Sequence, residues 1–105
     1  MNVISRPAVN EALVRHPDAE KWLNAWWKTA NQERWKSLAD VRSVYPRTDQ
    51  VGSCLIFDAL GNKYLLIVGV RYETASRGGT LFVKHFLTHA QYSKKDWRGD
   101  CQYDH

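Results

Sequence analysis

The run KYLLIVGVRY, from Lys63 to Tyr72, constrains this chain more than any other stretch. It is rich in β-branched and aromatic residues and carries no proline, so it reads as a strand. Side chains alternate across a strand, which puts Tyr64, Leu66, Val68, Val70 and Tyr72 on one wholly apolar face. Lys63, Leu65, Ile67, Gly69 and Arg71 fall on the other, with a base at each end. The first face is expected to meet a layer of helices, and the second to be open. Gly69 between the two bases marks a place where a ligand or backbone approaches closely.

The neighbouring runs VGSCLIF (51–57) and TLFVKHFL (80–87) have the same character, with turn residues at 58–62 and 74–79 between them. Together the three predict an antiparallel meander. In the last run neither parity is clean, so whether Lys84 or His85 faces outward stays open. Ahead of Pro46 the period is helical. A helix over 6–15 starts with Ser5 as N-cap and Pro7 in the first turn, burying Val9, Ala12 and Leu13. The His16-Pro17-Asp18 break ends it. A second helix, 18–31, carries Trp22, Leu23, Trp26, Trp27 and Ala30 as a broad core stripe. Ser37 and Asp40 resemble a capping box for a short third helix that stops at Tyr45-Pro46, and Met1 to Ile4 suits a short edge strand. The expected architecture is α+β: N-terminal helices packed on one face of a curved antiparallel sheet, in one domain spanning 1–105.

Net charge is +4, and its distribution matters more than its size. Residues 1–50 hold eight bases and six acids, whereas Lys63, Arg71, Arg77, Lys84, Lys94 and Lys95 face a single acid, Glu73, between 63 and 95. That asymmetry suggests a polyanionic partner, against the plainer reading of a solvated basic face. No apolar run reaches the ~18 residues of a membrane span and no signal peptide is evident, so a cytoplasmic protein without a membrane partner is expected. Two cysteines in unlike settings, Cys54 apolar and Cys101 polar, read as free thiols.

No metal site and no cofactor are expected. His85 and His89 are four apart, a spacing that converges on a metal only along a helix, and this stretch reads as a strand entering a turn. What remains is Lys63, Arg71, Lys84, His89 and Tyr92. Attack by the 2′-hydroxyl of RNA on its own phosphate needs a proton acceptor, a cation for the phosphorane-like charge and an acid for the departing 5′-oxygen. These residue types supply all three. Taken singly, His89 is also a plausible turn residue and Tyr92 a half-buried packing residue.

HPDAEKWLNAWWK, WKSLADVRSVYP, the GNKYLLI turn and strand, and LTHAQY followed by KKDW extend over nearly the full length. With them the chain resembles the HigB-family toxins of type II toxin–antitoxin systems, in the wider RelE/ParE-like group. The resemblance implies helices against an antiparallel sheet and ribosome-dependent cleavage of mRNA. It also implies silencing by a cognate helix-turn-helix antitoxin, with DNA met only through the antitoxin complex. Lys63 and Lys84 match basic positions of the family, and Thr88, His89 and Tyr92 match LTHAxY; Thr88, Lys94 and Lys95 are read as RNA-binding. Related sequences commonly read GNKYRLI, so Leu65 stands where an arginine is usual; either Arg71 on the same face substitutes for it or activity is reduced. His85 stands at an expected aromatic position and is read as packing, with an added proton carrier as the alternative. In the resulting hypothesis His89 or Lys84 helps remove the 2′-hydroxyl proton, Arg71 and Lys63 neutralise the phosphate, and Tyr92 positions a base or backbone oxygen. Two other classes fit the fold, a ParE-like gyrase inhibitor and a non-catalytic RNA-binding module.

Overall fold

In the computed structural model, which describes residues 1–101, the run from Lys63 to Tyr72 forms β4 (Tyr64–Arg71). It lies between β3 (Cys54–Ala59) and β5 (Thr80–Thr88), antiparallel to both. β2 (Asp49–Val51) extends the sheet beyond β3, and β1 (Asn2–Ile4) lies outside β5, giving the order β1-β5-β4-β3-β2. β1 runs parallel to β5, so the sheet is mixed where the sequence suggested antiparallel pairing throughout. No hairpin links β1 to β5, and nothing local fixes their relative direction. The run read as one strand over 51–57 is also two. A two-residue turn at Gly52-Ser53, with Gly52 at φ 56°, folds β2 back on β3.

The helical layer is α1 (Arg6–Arg15), a 3-10 turn over Pro17–Ala19, α2 (Glu20–Gln32) and α3 (Leu38–Val44). Ser5 does not cap with its side chain as expected. It sits at φ 77° because β1 turns into α1 at this single residue, and its carbonyl accepts from the amides of Ala8 and Val9. Ser37 does cap α3, its hydroxyl accepting from the Asp40 amide, while the Asp40 carboxylate accepts one residue earlier than a capping box requires, from Lys36 N.

Leu23, Trp26 and Ala30 of α2 are buried against Leu55, Phe57, Leu66 and Val68 of the sheet. The Trp26 ring meets Phe57 edge-on at 5.5 Å, and Trp35 and Tyr45 close around the same phenylalanine. Trp26 is therefore core, as its helical spacing predicted, with Trp22 and Trp27 of the same stripe only partly buried against it. Among the described residues no helix is long and apolar enough to cross a membrane.

The face expected to be open is covered. Leu65 and Ile67, with Cys54 and Ile56 of β3, are buried beneath Trp97 and Cys101. Those two belong to a 3-10 helix, Asp96–Cys101, that returns across the sheet after α4 (His89–Ser93). Cys54 and Cys101 are not free thiols; they are joined as a disulfide, with Cα atoms 5.2 Å apart. Their unlike sequence surroundings concealed that the polar tail folds back over β3, where Ser53 N donates to Cys101 O at 2.8 Å. Closing a loop across a separation of 47 residues stabilises the fold by about 4 kcal/mol on chain-entropy grounds.

Trp26→Ala removes the ring that fills the gap between α2 and Phe57. It should lower unfolding free energy by about 3–5 kcal/mol, read from urea denaturation at constant m-value. A loss under about 1 kcal/mol would show that α2 is not packed as described.

Candidate functional site

The irregular parity of the last strand has a physical origin. Leu66 pairs with Phe86 and Ile67 with His85, but the next residue, Val68, pairs with Val83, leaving Lys84 without an opposite number. This is a β-bulge, one extra residue in β5. Ahead of it Leu81 and Val83 point to the helices, and after it Phe86 does. Lys84 and His85, although adjacent, consequently both reach the covered face of the sheet. Lys84 lies across Gly69, whose absent Cβ would stand 2.8 Å from Lys84 Cε. The close approach that Gly69 signalled is made by this side chain. The Lys84 ammonium donates to the backbone carbonyl of Asp100, and His85 Nε2 lies 2.7 Å from the Asp100 carboxylate.

Beside this pair is a recess of about 310 Å³ lined by His85, Leu87, Gln91, Lys94, Asp96 and Trp97. α4 forms one wall. Thr88 is its N-cap, accepting from Gln91 N at 3.2 Å while the Gln91 side chain accepts from Thr88 N at 3.0 Å. That capping box turns the chain sharply out of β5 and sets the direction of α4. Lys95, at φ 64°, then reverses the backbone so that Trp97 can stack on Tyr92, with ring centroids 5.0 Å apart and planes 13° from parallel. Trp97 Nε1 donates to Tyr92 O, locking the stack. Burial, followed by the Asp49 carboxylate, pushes the Tyr92 phenol up, so it remains a proton donor at neutral pH.

The other expected site residues are dispersed. His89 is exposed at the start of α4, its ring 6.4 Å from that of Tyr92, and Lys94 and Lys95 are exposed at the rim. Lys63 and Arg71 bracket β4 and stand about 26 Å apart at strand rise, too far to grip one phosphate. Lys63 lies at the Thr88 end and Arg71 at the Thr80 end. Arg71 therefore cannot take the local place of the arginine missing at Leu65, about 20 Å away along the strand. Leu65 itself is buried under the C-terminal helix. Lys63 is tied to the helical layer: its ammonium is 2.6 Å from Asp18, which also accepts from the Tyr64 hydroxyl at 2.9 Å. Hydrogen bonds from Lys63 and then Tyr64 hold the Asp18 carboxyl below its ordinary range, and the same bond raises Lys63.

His85, read from sequence as packing, is half-buried and shares Asp100 with Lys84. The signal for it was present: a strand of uneven parity is what a bulge produces. Asp100 gave none, because only the fold brings it there.

Residues 19–95 match the model of a family described as HigB toxin, the RelE-like toxic component of a toxin–antitoxin system. Among curated proteins no match was found.

The depressed Asp18 carboxyl makes its clamp a contribution present above the ordinary carboxylate pKa and lost as acid protonates it. Asp18→Asn should therefore lower the melting temperature at neutral pH, with the difference from the parent fading below about pH 4. Scanning calorimetry across pH checks this; a difference that does not change with pH would mean the clamp is not ionic.

Proposed function

The chain belongs to the HigB family of RelE-like toxic components of toxin–antitoxin systems, and from that premise we propose that it is an endoribonuclease cutting mRNA on the ribosome. Its partners in this reading are the ribosome with its mRNA and a cognate helix-turn-helix antitoxin, in the cytoplasm. Family membership itself implies an antitoxin.

The observation that supports the reading best is the Lys84–His85 pair, turned by the bulge to one face and already holding two oxygens of Asp100. Cleavage by the 2′-hydroxyl builds charge on non-bridging oxygens of a five-coordinate phosphorus. A lysine ammonium fixed against a rigid sheet is suited to that charge, because it need not reorganise as the charge grows. In this mechanism Lys84 neutralises the phosphorane. His89 and His85 are the proton carriers for the 2′-hydroxyl and the 5′-oxygen, imidazoles being suited to both directions near neutral pH. Tyr92 positions a base or backbone oxygen. Thr88, Lys94 and Lys95 contact the RNA beside the recess, and Lys63 and Arg71 reach phosphates farther along the strand. The residue types suit a reaction that needs no metal.

Inducing the chain without antitoxin should produce new mRNA 5′ ends phased to codons, and Lys84→Ala should reduce their formation about a hundredfold. His89→Ala should relieve growth arrest with the fold retained. Arrest with intact mRNA would instead favour a gyrase-like target, and full toxicity of both variants would remove these residues from the mechanism.

A further inference from the structure

The Asp96–Cys101 helix is held in two unequal halves. Trp97 anchors the first half by its stack on Tyr92 and its indole bond to Tyr92 O. Gly99 follows, exposed and with open space where a side chain would be. Beyond it, Asp100 lies on Lys84 and His85, and Cys101 is fixed by its disulfide and by the Ser53 amide. Asp100 presents one carbonyl oxygen to the Lys84 ammonium and one carboxylate oxygen to the His85 ring. A bound phosphate would likewise present two oxygens to these two side chains, with more negative charge on the one that meets Lys84.

We propose that Gly99–Cys101 is a latch that occupies the phosphate-binding place at Lys84 and His85, and that reduction of the Cys54–Cys101 disulfide releases it. The inference rests on the reading of this face as an RNA site and adds its regulation. The step needs a dithiol. One thiolate attacks a sulfur of the Cys54–Cys101 bond, that bond breaks, and a mixed disulfide forms with departure of the other cysteine as thiolate. The second thiol of the reductant then displaces the first cysteine, and two electrons and two protons have passed to the protein while the dithiol closes to its own disulfide. The last turn is afterwards held by the Ser53 amide on the Cys101 carbonyl, the Lys84 bond to the Asp100 carbonyl and the exposed His85–Asp100 contact. Such contacts are weak in water, and the hinge at Gly99 lets the last turn swing out while Trp97 stays in place. Both cysteines are buried, so attack waits for a transient local opening of the cover over the disulfide, which makes the switch slow rather than instantaneous.

The test compares the full chain oxidised and after dithiol reduction, with thiol titration confirming each state. The probe is a short single-stranded RNA bearing 2′-O-methyl groups, which binds without being cut, and the readout is the His85 ring signal by NMR. Reduction should tighten RNA binding about tenfold or more, since the apparent constant scales with the fraction of unlatched molecules. It should also shift the His85 ring before RNA is added. Asp100→Ala, with its disulfide intact, should give part of that gain without reductant and guards against a reduced form that has merely unfolded. Equal affinity in both redox states, or no RNA effect on His85 in either, overturns the latch. Cleavage of ribosome-bound mRNA is measured on the same samples: cutting at the same rate in both states overturns the latch and leaves the endoribonuclease reading standing. Redox-dependent binding without cleavage in either state supports the latch and overturns that reading.

Discussion

From Tyr64 to Gly69 every residue of β4 is buried, so the strand requires an apolar layer on each side. Three helices and their tryptophans provide one layer. Among the described residues the other is provided by two short segments, α4 and the 3-10 helix Asp96–Cys101, together contributing Tyr92, Trp97 and Cys101. So thin a cover holds through chemistry rather than area: a stacked ring pair, an indole hydrogen bond and a covalent link back to β3. The placing of the candidate site follows from this arrangement. Polar groups can reach that face only where the thin cover leaves room, at the bulge and along the recess beside α4.

The bulge is the second determinant. Without the extra residue in β5, Lys84 and His85 would point to opposite faces, and one of them would enter the helical core beside Val83 and Phe86. Placing two titratable side chains on one face of neighbouring positions requires a break in the two-residue repeat, and the break also kinks the strand next to the glycine that Lys84 crosses.

Much of the fold was legible because it depends on local pattern. The bounds of α1 follow from Pro7 and the His16-Pro17 break, and α2 follows from its tryptophan stripe. β4 was assigned to the correct helix-facing side by alternation alone. The missed Gly52-Ser53 turn and the Ser5 cap are local, but the larger errors share a cause, which is contact between parts distant in sequence. The direction of β1, the burial of Leu65 and Ile67, and the pairing of Cys54 with Cys101 all depend on segments that return from far along the chain. For the site, the run around Thr88, His89 and Tyr92 is a continuous capping and stacking unit and was visible as a motif. Lys63 was visible as a base, but its engagement with Asp18 was not, because 45 residues separate the two. Asp100 carried no local signature at all.

The parallel edge strand has a consequence for the order of events during synthesis. Asn2 pairs with Thr80 and Ile4 with Phe82, so β1, which is made before β2 to β5, is among the last of these strands to find its place. At ordinary elongation rates it waits roughly 4–16 s for its partner, and the helices that follow it spend that interval without the sheet they rest on. The second layer waits longer still, until Cys101 can reach Cys54. Both faces of the sheet are therefore finished only after residue 101 has been made. A chain stopped short of its last turn is not a smaller version of this protein but an unroofed one, with the apolar side of β4 in water.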